Sequence, residues 1–446
     1  MDRSGIVLAH TYGERYELPI PLYLFVIGGV VVVLLSFLLV LRRGGSDVGE
    51  AVVADDTVPP ADLSPVAAMV SVAVLVAVAV VGLTGTQEVS DNLAPLFFWI
   101  LVWIAVPLSC AVLGDWTRPV NPFAILGRLG DNPGLRKAVL ARRTPLVWSR
   151  ALGWWPSLVL FVLLVLGELV FNADTTKPAF IGVMLLLYGG MSFFLGLLFG
   201  PAWLAHGEVF SALWNAWGRL GWWRFGAPGH RGFAGGLDVP FEANPGRVVF
   251  VLLLLVSINF DGLLATPQWS SYERRTYGGS TDSIDLLRTM SLLGLVVVVL
   301  AVFLGFAFAS ARAGKHEGGS FPALAGLLPS LVPIAAGYLV AHNLQYLAIQ
   351  LQQLYPLVKN PGYGNTDSGF LPNRNVLPAQ VNWYVSLAVI VAVHVIAVVL
   401  AHRHLARSAP DEEAARRSEY PWLLAMLCYT AFSLVLIALP LTKSAG

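Results

Sequence analysis

A few ionisable side chains stand inside long apolar stretches of this sequence, and they define the chemistry open to it. Asp261 falls in SINFDGLLATPQW, Glu168 in LVLGELVFN and His342 in GYLVAHNLQYLAIQLQQLY. His394 lies in the middle of another apolar run and His402 at its end, while His10 and Glu14 precede the first such run, in HTYGERYE. An ionisable group at membrane depth is costly unless it is paired or used, so each of these marks a candidate site. Histidines combined with carboxylates suit a divalent ion such as zinc, copper or manganese. Such an ion polarises a phosphoryl oxygen or lowers the pKa of a bound water. No His-x-x-x-His or His-x-Glu pair occurs within one helix here, and a hydrogen-bond network that only holds helices together explains the same residues.

The stretch Gly337–Tyr355 is the most polar of the apolar runs. At about 100° per residue, Tyr338, His342, Gln345, Tyr346, Gln352 and Gln353 share one arc, with Asn343 and Gln350 on its flank. Leu344, Leu347, Ala348, Leu351 and Leu354 fill the other side. Unpartnered polar groups in hydrocarbon cost several kcal/mol each, so this arc must face other helices or a wet cavity.

The elements that position these residues follow from composition. Of 446 residues, 56% are hydrophobic and only 12% charged, and the mean hydropathy is +0.70. Soluble domains carry about a quarter charged residues, so the chain reads as a polytopic membrane protein whose main partner is the lipid bilayer. A net charge of +1 without basic, aromatic-interleaved runs excludes a nucleic-acid partner. Cys110 and Cys428 both sit in apolar segments, as small buried hydrophobes do. Apolar runs long enough for a bilayer place ten spans, at about 20–41, 65–83, 94–113, 154–171, 179–199, 248–264, 291–311, 321–351, 383–401 and 422–441. The expectation is an all-α transmembrane bundle, one integral membrane domain over 1–446.

Most of the 28 Lys and Arg residues fall on one side if the N-terminus is extracytoplasmic. The distribution therefore predicts both termini outside. Asp261 then lies about 20 Å along its span towards the outer face. Glu168 and His342 fall at a comparable depth, with His10 and Glu14 above them. Val7-Leu8-Ala9-His10 reads either as the scar of a signal peptide, with a mature chain beginning at His10, or as an ordinary tail.

Trp116-TRPVNP-Phe123 and Trp203-LAHGEV-Phe210 both keep Trp-x6-Phe and are followed by Gly-Arg-Leu-Gly. Both follow an outside-to-inside span, as copies of one hairpin would, and Phe321-Pro-Ala-Leu is a weaker echo. Asn121-Pro122 is a helix start. Phe210, Leu213, Trp214 and Trp217 recur at helical spacing, as an interfacial helix on the cytoplasmic side or a tryptophan belt requires. Asp115 and Arg118 are spaced to pair, Glu208 to favour a helix N-terminus, and His206 stands beside it. The stretch 355–382 reads as an irregular loop, and together with 268–288 it lids an outward pocket or simply links spans.

Several of these motifs together resemble the bacterial and archaeal membrane proteins called fenitrothion hydrolases. The likeness runs through His10–Leu22 (HTYGERYELPIPL), Asp115–Phe123, Gly207–Phe210, Phe260–Trp269, Pro333–His342, His394–His402 and Tyr429-Thr430. Asn343 stands where an aromatic residue usually follows the histidine in that family. The resemblance implies an integral membrane hydrolase of organophosphate triesters, and a signal peptide ending just before His10. Two function classes follow. In one, His10, Asp261 and His342 hold a metal in an outward pocket of the plasma membrane, with Glu168 or Glu14 as base for a small-molecule substrate. In the other, Gln345, His342, His394 and His402 line a pathway in a transporter or a metal-handling accessory protein. An assembly subunit with a partner membrane protein is a third option.

Overall fold

The computed structural model describes residues 22–42, 64–223, 232–277, 281–316, 319–363 and 370–438. Helices occur in the order α1 (Leu22–Arg42), α2 (Pro65–Thr84), α3 (Leu93–Pro95), a π-helical stretch (Leu96–Ala105), α4 (Val106–Leu113), α5 (Pro122–Gly130) and α6 (Pro133–Leu140). Next come α7 (Trp155–Leu169), α8 (Asn172–Thr175), α9 (Pro178–Phe199), α10 (Val209–Gly218), α11 (Pro245–Leu264), α12 (Pro267–Tyr277) and α13 (Thr281–Ala313). The chain closes with α14 (Ser320–Leu327), α15 (Leu331–Gln350), α16 (Leu354–Lys359), α17 (Ala379–Ser408) and α18 (Glu412–Ala438). No strand occurs among the described residues.

Asparagine–proline pairs start three of these helices, as Asn121-Pro122 leads one to expect. Asn121 Oδ1 accepts from the backbone N–H of Phe123 at 3.0 Å. Asn132 Oδ1 accepts from Gly134 at 2.8 Å, and Asn244 Oδ1 from Gly246 at 2.9 Å. The asparagine satisfies an orphan donor and the proline, which has none, fits the first turn. The π-helical stretch also has a local cause. Pro107 has no N–H to give to Trp103, and the N–H of Val106 bonds instead to Leu101 O, five residues back.

Among the described residues each of the ten expected spans is largely helical, the eighth being split by a 3-10 turn at Leu328–Ser330. Among the described residues eight helices are long and apolar enough to cross a membrane, and shorter apolar helices lie at Val26–Leu35 and Trp155–Leu169. The protein is an all-α, polytopic membrane protein. The seventh span extends to Thr281 and 267–277 is helical; in the loop 355–382, expected to be irregular, Leu354–Lys359 is helical and α17 begins at Ala379. Arg288 clamps 267–277 by donating to both carboxylate oxygens of Glu273, at 2.6 and 2.9 Å.

The chain divides into two compact units. The first holds α2 to α10 with α16; the second holds α1, α11 to α14, α17 and α18. The boundary falls within α15, after Gln345.

In the first unit α5 packs on α9 with almost no space between backbones: a Cβ on Gly196 would stand 1.9 Å from Gly127 O. The Trp-x6-Phe copies meet reciprocally here. Glycines of the first copy press on α9, Gly130 lying against Phe193 O. Those of the second press on the end of α4 and its successor, Gly218 against Asp115 and Gly221 against Gly114. Each copy thus packs on the span that precedes the other. Phe123 stacks on Phe210 at the centre, ring centroids 5.0 Å apart. Trp203, Trp214 and Trp217 are only 1%, 4% and 3% exposed, so the side chains expected as an interfacial belt are core. Trp222 and Trp223, at 47% and 46%, are the exposed pair.

In the second unit α15 is the most enclosed helix: from Leu331 to Asn343 every residue but Val340 is buried. Gly337 permits this, because a Cβ there would meet Val393 of α17 at 2.4 Å.

Candidate functional site

In the second unit α11 and α15 bring two of the sequence candidates into contact. His342 Nε2 lies 2.7 Å from Asp261 Oδ2, with side chains 5% and 14% exposed. Asp261 sits in the last turn of α11 and His342 two thirds of the way along α15. A carboxylate at this distance orients the imidazole, the relationship general-base histidines use. Ser386 of α17 meets the residue before His342, its Oγ 3.5 Å from Ala341 O.

One turn away along α15 a second polar layer begins. The Tyr338 ring stands edge-on to His394 of α17, centroids 6.4 Å apart, and edge-on to Tyr429 of α18 at 6.3 Å. Asn259 of α11 donates from Nδ2 to Leu255 O at 2.8 Å and to the Tyr429 hydroxyl. His394 is fully buried. Its Nδ1 lies 2.7 Å from Ile390 O. A carbonyl only accepts, so Nδ1 carries the hydrogen and neutral His394 presents a bare Nε2. Three buried polar atoms of this region lack a hydrogen-bond partner among the described residues: Asn343 Oδ1, Asn382 Oδ1 and His394 Nε2. Buried polar groups are nearly always paired, so such a concentration marks a place built for something other than packing.

A third layer follows. Trp422 Nε1 donates to Ser330 Oγ at 3.2 Å. One turn before Trp422, Glu419 Oε1 lies 2.9 Å from His402 Nδ1, and Oε2 of that buried carboxylate has no partner among the described residues.

The other sequence candidates are placed as follows. His10 and Glu14 lie outside the described residues. Glu168 is half-buried in the last turn of α7, in the first unit. Gln345 is half-buried on α15. The other glutamines of the expected arc are used locally: Gln352 exchanges hydrogen bonds with the backbone of Asn373, both 3.0 Å, and Gln353 Nε2 donates to Gln350 Oε1 at 2.6 Å. The arc fails because Leu351–Gln353 is a 3-10 turn, which changes the angle per residue beyond Gln350. Asp261 and His342 supply two donors for a metal. Among the described residues no group of three or more His, Cys, Asp or Glu side chains could hold one.

Sequence reasoning missed Glu419, Asn259, Asn382 and Ser433. Glu419 stands in EEAARRSEYPW, which reads as a charged loop, whereas α18 begins at Glu412 and carries Glu419 into the bundle. The i, i+4 spacing of Asn382 and Ser386 with His394 further on would have exposed the polar face of α17.

The first unit holds its buried charges differently. Glu208 caps α10, accepting from the N–H of Phe210 at 3.1 Å and of Ser211 at 2.7 Å. It also accepts from Tyr188 OH at 2.6 Å, Asn121 Nδ2 at 2.7 Å and Ser211 Oγ at 2.6 Å. Arg118 pairs with Asp115 at 3.8 Å, which also accepts from Thr117 at 2.8 Å and Asn215 at 3.2 Å. His206 packs between Trp148 and Trp154. Helix ends and ion pairs account for the charged members of this set.

Fold and site together define a polytopic helical membrane protein with a buried carboxylate–imidazole pair. The chain matches no family model, no curated protein and no solved structure.

Proposed function

We propose that the Asp261–His342 pair is the working centre of a membrane-embedded hydrolase acting on organophosphate triesters. The 2.7 Å contact between a carboxylate and an imidazole, both at membrane depth, carries the reading. The resemblance to fenitrothion hydrolases supplies the substrate class. His342 takes a proton from water, the oxygen attacks phosphorus, and the bond to the leaving oxygen breaks; the proton then passes from His342 to the leaving group. Asp261 orients the ring throughout. The zinc, copper or manganese expected from the sequence would need His10 as a third ligand. The distribution of Lys and Arg supports both termini being extracytoplasmic, and the reading places the protein in the plasma membrane. Turnover of a phosphotriester by purified, reconstituted protein tests the proposal, and metal analysis runs beside it. Divalent metal that survives purification and is lost in His342→Ala supports the metal; metal-free protein with full turnover removes it.

A second reading is favoured by a separate observation, the unpartnered buried atoms on α15, α17 and α18. On this reading the second unit is a transport pathway with no covalent chemistry. Solute flux in proteoliposomes, measured beside phosphotriester turnover, separates the two.

A further inference from the structure

In the first unit, the segment between α5 and α7 gathers cations that the fold does not neutralise. From Asn132 to Gly167 the sequence holds no Asp or Glu, yet it carries Arg136, Lys137, Arg142, Arg143 and Arg150. Arg136 alone of these is buried, and it pairs with Asp131. Lys137, Arg142, Arg143 and Arg150 are exposed, and none of the four has a carboxylate partner among the described residues. Arg142 donates to the carbonyl oxygens of Thr144 and Pro145, at 2.9 and 3.2 Å, which satisfies its N–H groups and leaves its charge uncompensated.

The backbone that carries these cations is tied down. Arg136 donates from Nε to Leu197 O at 2.7 Å and from Nη1 to Arg143 O at 3.0 Å, so one buried side chain joins the segment to the end of α9. The N–H of Leu146 donates to Leu198 O at 2.7 Å, and Trp148 packs edge-on against Phe199, centroids 5.2 Å apart. Ala141, at φ 56°, turns the chain between Lys137 and the arginines. The cations thus rim the last turn of α9, the end that the Lys and Arg distribution assigns to the cytoplasmic face.

Apolar side chains are bare on the same segment. Leu135 and Val139, one turn apart on α6, are 36% and 57% exposed, and Val147 is 88% exposed. Unpaired cations beside bare aliphatic groups, at the end of a span, match the two halves of an anionic lipid: phosphate meets the charges and acyl chain the valines. Position at a cytoplasmic span end does not by itself leave cations unpaired. Arg403 and Arg407, at the corresponding end of α17, flank Asp238 at 3.5 and 3.9 Å.

We propose that 132–150 is a docking surface for anionic phospholipids of the cytoplasmic leaflet. Lys137, Arg143 and Arg150 take the headgroup phosphates, and Leu135, Val139 and Val147 the adjoining acyl chains. The surface belongs to the first unit and is independent of both readings of the second.

The test is native mass spectrometry of full-length protein in neutral detergent, titrated with dioleoylphosphatidylglycerol or dioleoylphosphatidylcholine. The tightest phosphatidylglycerol is expected to bind about tenfold more strongly than phosphatidylcholine. Lys137→Gln/Arg143→Gln/Arg150→Gln should lower the phosphatidylglycerol affinity about a hundredfold, or about fivefold per charge, and leave phosphatidylcholine binding as it was. The Arg143 change spares the carbonyl that Arg136 uses, and a melting curve checks the fold. If the triple variant does not fold, Arg150→Gln replaces it, with an expected loss of about fivefold. Arg417→Gln, which removes a charge already 3.4 Å from Glu413, should change neither affinity. Equal affinity for the two lipids in the wild type overturns the proposal. So does phosphatidylglycerol binding that is unchanged in the folded variant, or lowered as much by Arg417→Gln. Inorganic phosphate that displaces phosphatidylglycerol at equal concentration would mark a site for soluble anions and overturns the lipid assignment.

Discussion

The two units bury polar groups in opposite ways. In the first, Glu208 receives five hydrogen bonds from Tyr188, Asn121 and the first turn of α10. Asp115 is shared among Thr117, Asn215 and Arg118. In the second, an imidazole nitrogen, a carboxylate oxygen and two amide oxygens stand in the bundle without partners among the described residues. Satisfied networks rigidify a fold, whereas unsatisfied ones lower its stability and persist where they serve a function. The first unit therefore reads as scaffold and the second as the working part.

Substitutions that separate scaffold from site put the contrast at risk. The largest stability effect is expected for Glu208→Ala, which strands Tyr188, Asn121 and two backbone donors and should cost about 3–5 kcal/mol. Thermal unfolding in detergent would show it, and Glu208→Gln, still able to accept, should cost less. A neutral Glu208→Ala would break the scaffold half of the comparison. Next comes Asp261→Asn, which keeps the shape but not the charge beside His342. It should lower turnover about a hundredfold with little change in melting temperature. Smaller still, Asn343→Leu and Asn382→Leu remove amides whose buried Oδ1 has no partner among the described residues. They should be neutral or stabilising by up to about 1 kcal/mol, the reverse of what similar cuts do in the first unit. The smallest effect concerns His316, beyond the end of α13, whose pKa burial pushes below the ordinary histidine value of 6.5. Its folded form resists protonation, so its contribution is intact above pH 6.5 and lost as pH falls from there through the depressed value. His316→Asn should flatten the melting temperature between pH 7 and the depressed value.

Local features of the fold were legible in the sequence. Asn121-Pro122 announces its helix because cap and proline act within one turn, and among the described residues all ten apolar runs are largely helical. Burial was not. Trp214 and Trp217 recur at the spacing of an amphipathic helix, but spacing cannot tell a lipid interface from the interior of a protein. The pair at the site was half legible: Asp261 and His342 share a depth by counting residues, yet only the fold puts them in contact. Glu419 was illegible because all eight residues Asp411–Ser418 preceding it are charged, alanine or serine, which hides the helix that carries it inward.

The central claim, that the Asp261–His342 pair does the chemistry, is tested most directly by phosphotriester turnover of reconstituted wild-type protein against His342→Gln at matched folding. The account predicts measurable turnover in the wild type and a loss of about a hundredfold in the variant with an unchanged melting temperature. Equal turnover in the two, or none in a folded wild type, would contradict it.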